Sequence, residues 1–479
     1  MNRLLLVLAS ALAATAAIPD PVKLDSGLVS GTSGVSGEVR VFKGIPFAAP
    51  PVGPLRWKAP QPVARWEGVR KADQFSSRCM QAQQAGAQPV SEDCLYLNVW
   101  TGAASSSERR PVMVWTYGGG FTGGAGSEPR YDGEELARKG AIIVTLNYRL
   151  GPFGFLAHPE LSKESGHNAS GNYGMMDFIA TLKWVQKNIA AFGGDPRNVT
   201  IMGESAGANM VGATVGSPEA KGLFVRAIAE SGAYMGMTMG HTAPLAPAEA
   251  AGAKAGTLAE LRAKSADEIQ KSVRANNLVI DGWIIPEDLN VRFAQGRQND
   301  VDILIGSNRD EGTFFQRGTT AVDFIKQANT TYGDQAAQFL KLYPAGSDAE
   351  ATASSLAAFR DEVAWNMQLW AKMTAKRGRK AYVYYFTQEP PVAAGQVSRG
   401  ATHVAEIAYV FHNASKLWTD ADEKISQQMS NAWIAFATKG MPWPPDAGKP
   451  YMVFGPAPTA GQAPDSAKLA FFDSVYAKK

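Results

Sequence analysis

Apolar and polar residues follow two different periods along this chain, and each period predicts one kind of element. Short apolar runs that stop at glycine or polar residues predict strands buried on both faces of a sheet. Such runs occur at 93–100, 111–117, 141–147, 199–202, 301–305 and 381–386. Apolar residues at helical spacing predict helices at 133–139, 175–190, 362–374 and 431–437, and 234–279 is predicted to be mostly helical. Strands alternating with helices favour an α/β fold with a mostly parallel sheet covered on both faces.

Two further stretches do not follow these periods. Residues 28–42 read as short strands separated by Gly and Ser turns. Residues 44–57 are too rich in proline for a helix or a central strand, because proline lacks the N–H that either would need. We expect this second stretch to be an ordered surface loop.

One junction between a strand and a helix has a distinctive sequence. The apolar run at 199–202 ends in Gly203-x-Ser205-x-Gly207, and small residues suited to a helix follow. A serine on such a sharp turn, a nucleophile elbow, projects its hydroxyl clear of the backbone. The alternative is an ordinary strand-to-helix turn without a catalytic serine. The G-x-S-x-G pattern occurs only once in the sequence, which favours the nucleophile elbow.

A serine nucleophile needs a base, and histidine has a suitable pKa. The chain has five histidines: His158, His167, His241, His403 and His412. Where a nucleophile elbow carries a triad, the acid and then the histidine follow the serine along the chain. His241 follows too soon, and His412 after an apolar stretch is predicted to be structural. His403, in a loop after the 381–386 strand, is the favoured base.

The acid is expected in a loop that follows a strand between Ser205 and His403. Asp310 and Glu311 follow the 301–305 strand and meet this condition. The pattern does not choose between them, and either could instead form an ion pair with Arg309.

Glycines at 118–120 and 123–124 follow the strand at 111–117. Without side chains they expose backbone N–H groups, which makes the loop a candidate oxyanion site. The alternatives are a flexible loop or a phosphate-binding turn, but the G-x-x-x-x-G-K-[ST] arrangement of the latter is absent.

Composition places the chain among globular proteins, with 479 residues, 45% of them hydrophobic and 19% charged. A net charge of +3 gives no electrostatic argument for nucleic acid or an anionic membrane as a partner.

Residues 1–17 read as a signal peptide, which predicts a secreted or periplasmic protein. No later segment is a candidate membrane span, and residues 18–479 are interpreted as one domain. The two cysteines, Cys79 and Cys94, predict one disulfide in an exported protein, or otherwise two buried thiols.

The sequence resembles the type-B carboxylesterase family, which includes cholinesterases and bacterial p-nitrobenzyl esterases. The resemblance runs from about residue 29 to residue 472. Its motifs are the segments at 44–57, 92–99, 147–155, 192–200 and 203–208. The resemblance implies an α/β-hydrolase fold and a carboxylesterase that forms an acyl-enzyme. By this resemblance Ser205 is the nucleophile, Glu311 the acid and His403 the base, with Glu406 three residues beyond the base.

The resemblance also implies the remaining features of the site. The family's oxyanion donors match the backbone N–H groups of Gly119, Gly120 and Ala206, and Tyr117 replaces the first residue of the familiar His-Gly-Gly-Gly. Cys79 and Cys94 match the family's first disulfide. Neither a metal nor a cofactor is required.

The expected partner is a small-molecule ester, and the sequence leaves the oligomeric state open. Substrate-binding predictions fall on Phe121, Phe315, Phe411 and Trp418, with Met235, Met237 and Met239 as further pocket walls. The alternative is that these residues complete the core. Little chain remains for a lid, so we expect activity on dissolved and even bulky esters. Lipase, thioesterase or amidase activity is the rival prediction, and a non-catalytic binding protein of the same fold is the more distant one.

Overall fold

The computed structural model describes residues 18–233, 242–314, 318–443, 451–458 and 464–476. Its strands are β1 (Val22–Lys23), β2 (Leu28–Ser30), β3 (Thr32–Ser33), β4 (Arg40–Pro46), β5 (Val69–Lys71), β6 (Arg78–Cys79), β7 (Val90–Ser91), β8 (Tyr96–Thr101), β9 (Arg110–Thr116), β10 (Ile142–Leu146), β11 (Gly194–Glu204), β12 (Arg226–Glu230), β13 (Ala243–Pro244), β14 (Val279–Ile280), β15 (Asp302–Asn308), β16 (Ala381–Phe386) and β17 (Met452–Phe454). Its α-helices are α1 (Glu134–Arg138), α2 (Gly151–Phe155), α3 (Pro159–Glu164), α4 (Tyr173–Asn188), α5 (Ala206–Gly216), α6 (Leu245–Ala253), α7 (Leu258–Ala263), α8 (Ala266–Ser272), α9 (Leu289–Ala294), α10 (Ala321–Tyr332), α11 (Ala336–Leu342), α12 (Asp348–Lys376), α13 (Ile407–Phe411), α14 (Asp420–Lys439) and α15 (Ser466–Tyr476).

A ten-stranded sheet has the spatial order β17-β16-β15-β12-β11-β9-β10-β8-β4-β3 in the described part of the chain. Every neighbouring pair from β17 to β10 is parallel. Strand β8 runs antiparallel to β10 and β4, and β3 runs antiparallel to β4. The sheet is therefore mostly parallel, as predicted, with an antiparallel region built from the N-terminal part of the chain.

The central strands are buried over nearly their whole length, as expected of a parallel sheet covered by helices. All residues of β10 are buried, and so are all residues of β9 except its first. Helices α4, α5, α12 and α14 pack against the sheet. The carboxyl ends of β11, β12 and β15 are neighbours, with Glu204 opposite Glu230 and Glu230 opposite Gly306. The loops that follow these strands are therefore brought together.

Several boundaries differ from the predictions. Strand β12 was not predicted, because its five residues include two alanines and two charged residues. Residues 44–46, assigned to a loop, complete β4. Helix α12 begins fourteen residues before the predicted start at 362, with a Ser347 side chain capping its first turn. The predicted last helix is followed by α15.

The predicted disulfide is present, since Cys79 and Cys94 are bonded and both are buried. It closes the segment that links β6 to β8. The predicted signal peptide lies outside the described residues. Among the described helices, none has the length and apolar character needed to span a membrane.

Candidate active site

Ser205 lies on the turn between β11 and α5 with φ 55° and ψ −122°, a conformation that is rare for a residue with a side chain. The flanking glycines allow this turn. A Cβ atom added to Gly203 would lie 2.6 Å from the carbonyl oxygen of Thr116, and one added to Gly207 would lie 2.1 Å from it. The Ser205 N–H donates to the carbonyl of Glu230 at 2.9 Å. Such strain costs about 1–3 kcal/mol and persists only where the surroundings impose it.

The structure brings His403 and Glu311 into contact. Nδ1 of His403 lies 2.5 Å from Oε2 of Glu311, and both side chains are buried. The other oxygen of Glu311 accepts hydrogen bonds from the Ser231 hydroxyl and from the Asn308 N–H, each at 2.7 Å. Both carboxylate oxygens are thus engaged, and the carboxylate can face the ring in only one way.

The surroundings of His403 act on its pKa in opposite directions. Burial lowers the pKa, whereas the negative charge of Glu311, its hydrogen bond to the ring and the charge of Glu406 raise it. The effects that raise the pKa are together larger than the effect of burial, so the pKa of His403 lies above the ordinary 6.5. With Nδ1 directed at a carboxylate, the neutral ring carries its proton on Nδ1, which leaves Nε2 as the basic nitrogen.

Asp310 faces a different way from Glu311. Its carboxylate pairs with Arg309 at 2.7 Å and accepts the N–H of Ala401 at 2.8 Å. Of the two acids that the pattern could not separate, Asp310 forms the ion pair and Glu311 contacts the histidine.

The glycine loop lies next to the turn at Ser205. A Cβ atom added to Gly118 would lie 3.0 Å from the Cβ of Ser205. Within the part of the chain that the structure describes, the N–H groups of Gly119, Gly120 and Ala206 donate no hydrogen bond to the protein. Three backbone donors are therefore available close to the serine.

The predicted substrate-binding residues lie in different surroundings. Phe121 is buried with its ring 4.9 Å from that of Phe155, and Phe411 is fully buried with its ring 5.0 Å from that of Trp115. Trp418 is partly buried and stacks on Tyr409. Phe315, Met235, Met237, Met239 and His241 lie outside the described residues. The assignment of the four aromatic residues to substrate contacts stays a prediction.

His412 contacts a different part of the chain from the His403–Glu311 pair. Its Nδ1 lies 2.7 Å from the Ser426 hydroxyl and its Nε2 lies 3.2 Å from a Glu423 oxygen. These contacts are with helix α14.

Three more glutamates are buried around the His403–Glu311 pair: Glu204, Glu230 and Glu406. Oε1 of Glu204 lies 3.3 Å from Nε2 of His403. Burial, followed by the charges of Glu311 and Glu230, raises the pKa of Glu204 well above its ordinary value.

Sequence reasoning missed Ser231, Glu204 and Glu230 as members of this site. Ser231 has a positive φ of 54°, nearly the value of Ser205, and it too follows a strand directly. A usable signal was the repetition of Glu-Ser at the two strand ends, at 204–205 and 230–231. The repeat becomes informative only once β12 is known to be a strand.

Glu230 offers a test of this buried cluster through stability. Burial raises its pKa to about 8, although the indole N–H of Trp433 donates to it at 2.7 Å. Between its ordinary pKa of 4.5 and about 8, the folded protein keeps a proton that the unfolded chain has lost. The tighter binding of this proton stabilises the folded protein. Its contribution to the free energy of unfolding is complete below pH 4.5 and is lost as the pH rises through about 8, by up to about 1.4 kcal/mol per pH unit.

We therefore expect Glu230→Gln to lose less unfolding free energy than the wild type between pH 5 and pH 8. Urea unfolding at several pH values measures both slopes. Equal slopes would show that Glu230 does not hold a proton in the folded state.

A model of the carboxylesterase family matches residues 19–460. The protein is therefore an enzyme that belongs to the carboxylesterase family. It is similar to the fumonisin B1 esterase of Sphingopyxis macrogoltabida, with 38% identity over 91% of this chain and 85% of the relative. It is also similar to the para-nitrobenzyl esterase of Bacillus subtilis (strain 168), with 36% identity over 87% of this chain and 89% of the relative.

Solved structures also resemble the chain. Two structures of proteins named PNB esterase superimpose with TM-scores of 0.77 and 0.76, at 33% and 35% sequence identity. Each match covers 88% of this chain and 91% of the other. The fold is the α/β-hydrolase fold, as the resemblance implied.

Proposed function

We propose that this enzyme is a serine carboxylic-ester hydrolase with Ser205, His403 and Glu311 as its catalytic residues. The observation that carries the proposal is the buried contact of 2.5 Å between His403 and Glu311, in a loop cluster beside a strained serine turn. The arrangement matches the roles of a nucleophile, a base and an orienting acid.

In the first half of the reaction, Oγ of Ser205 attacks the ester carbonyl carbon while Nε2 of His403 takes the hydroxyl proton. The carbonyl oxygen becomes an oxyanion, which the N–H groups of Gly119, Gly120 and Ala206 stabilise. The carbon–oxygen bond to the alcohol then breaks, and His403 returns the proton to the leaving oxygen. Glu311 keeps the ring oriented and stabilises its charged form.

In the second half, a water molecule replaces the alcohol. Its oxygen attacks the acyl carbon and its proton passes to Nε2 of His403. The bond to Ser205 breaks as Oγ recovers that proton, and the carboxylic acid is released. No electrons are transferred to an outside acceptor in either half.

For the substrate, we propose dissolved carboxylic esters, including bulky ones. Two relatives are named as esterases, one for fumonisin B1 and one for para-nitrobenzyl esters. We expect p-nitrophenyl esters of several chain lengths to be hydrolysed faster than matched thioesters or anilides. We also expect no jump in rate as tributyrin passes its solubility limit.

The comparison of ester, thioester and anilide rates measures the bond preference, and the tributyrin titration measures interfacial activation. A faster anilide or thioester reaction would make the enzyme an amidase or thioesterase. A steep rise above the solubility limit would indicate a lipase with a lid.

We propose that the enzyme is secreted or periplasmic. The Cys79–Cys94 disulfide supports this, because disulfides persist in oxidising compartments.

A further inference from the structure

The proposed oxyanion loop, residues 117–124, has an unusual backbone conformation. Gly119, Gly120, Phe121 and Gly124 all have positive φ values, of 98°, 60°, 59° and 115°. Inside the loop, the carbonyl of Gly119 accepts the N–H groups of Thr122 and Gly123. Gly119 also lies against the second end of the loop, since a Cβ atom added to Gly119 would lie 2.3 Å from the carbonyl oxygen of Gly123. The place of residues 123–124 therefore sets the place of Gly119.

One side chain from outside the loop holds this second end. The Gln81 amide lies beside Gly124: its Oε1 accepts the Gly124 N–H at 2.9 Å, and its Nε2 donates to the Gly124 carbonyl at 2.8 Å. Gln81 is buried, with 4% of its surface exposed. The Gln81 amide therefore binds both the N–H and the carbonyl of Gly124.

The Gln81 amide is itself fixed from behind. Its Nε2 also donates to the carbonyl of Cys79 at 3.0 Å, and its Oε1 accepts from Nη2 of Arg78 at 2.9 Å. Arg78 is buried and lies 3.6 Å from Glu128. Cys79 is bonded to Cys94, so the disulfide anchors the chain two residues before the glutamine. The Gln81 amide thus makes four hydrogen bonds, two donated by Nε2 and two accepted by Oε1, which uses all its donors and acceptors.

We propose that Gln81 is a positioning residue that fixes the oxyanion loop to the Cys79–Cys94 disulfide and so places the N–H groups of Gly119 and Gly120. The inference rests on the proposed function, because it assigns a role to the same donors. Its physical basis is that oxyanion donors act on charge that develops only in the transition state, and that small misplacements of such groups are costly. Loosening the loop should therefore slow the chemical step without weakening substrate binding.

The test replaces Gln81 with methionine, which keeps the length of the side chain but removes its donor and acceptor. We expect kcat to fall about 10- to 100-fold, with KM changed by less than about twofold. Affinity for an aryl trifluoromethyl ketone, whose adduct carries an oxyanion, should fall by a similar factor. Gln186→Met is the matched control, because Gln186 also donates to two carbonyls, of Pro196 and Leu223, but contacts no part of the loop.

The disulfide supplies a second arm of the test. Replacing both cysteines with serine should lower kcat in the same way, and combining it with Gln81→Met should add little, since both changes release one tether. Fully additive effects, or a Gln81→Met enzyme with wild-type kcat and inhibitor affinity, would overturn the inference. Failure of the proposed function looks different: the trifluoromethyl ketone would then bind equally well to the wild type and to Ser205→Ala.

Discussion

Replacing Ser205 with alanine is expected to lower kcat for p-nitrophenyl ester hydrolysis by about 10⁴- to 10⁶-fold. In the proposed mechanism the Ser205 hydroxyl forms the acyl bond, so its removal stops the step that makes the acyl-enzyme. The measurement is steady-state hydrolysis with an active-site titration, which shows whether any acyl-enzyme forms. A variant that kept more than a few per cent of the wild-type turnover would show that another residue is the nucleophile.

A companion variant separates loss of chemistry from loss of fold. Ser205→Gly should be equally inactive but about 1 kcal/mol more stable to urea than Ser205→Ala, because glycine adopts a φ of 55° without strain. If both variants unfolded at the same urea concentration, the turn would not store the strain that its geometry implies.

The parts of this molecule that are governed by local pattern could be predicted from the sequence. The strands at 111–117, 141–147 and 301–305 were predicted because residues buried on both faces leave long apolar runs. The turn at Ser205 was predicted because close approach of backbone to backbone demands glycine at fixed positions, and the structure shows that approach at Gly203 and Gly207.

The parts of the molecule that depend on contacts between residues distant in sequence could not be predicted in this way. Nothing local distinguishes Asp310 from Glu311; the Ala401 N–H binds the first carboxylate and the His403 ring contacts the second, and both partners are about ninety residues away. The role of Gln81 was invisible for the same reason, since its partner Gly124 lies 43 residues away. Strand β12 lacked a pattern because its place in the centre of the sheet, and not its own composition, makes it a strand.

The assignment of the acid leads to the second large effect. Glu311→Gln should lower kcat/KM by about 10³- to 10⁴-fold, because the amide no longer stabilises a charged imidazole and can favour the wrong tautomer. Asp310→Asn is the matched control, with the same chemical change on the neighbouring residue. Its ion pair with Arg309 is partly exposed, so we expect a loss of less than about tenfold. Comparable losses in the two variants, or the reverse order, would overturn the assignment of Glu311.

The pH dependence of kcat/KM in these two variants provides a second test. The surroundings of His403 set the direction in which its pKa should move. The base must be neutral, so kcat/KM rises with pH through the pKa of His403 in the free enzyme. Burial lowers this pKa, but the charge of Glu311 raises it beyond 6.5, so the wild-type midpoint should lie above pH 6.5. In Glu311→Gln the burial remains and the charge is gone. The midpoint of the residual activity should therefore move to lower pH, while that of Asp310→Asn stays with the wild type. A Glu311→Gln profile that kept the wild-type midpoint would mean that another group, and not the Glu311–His403 pair, controls the reaction.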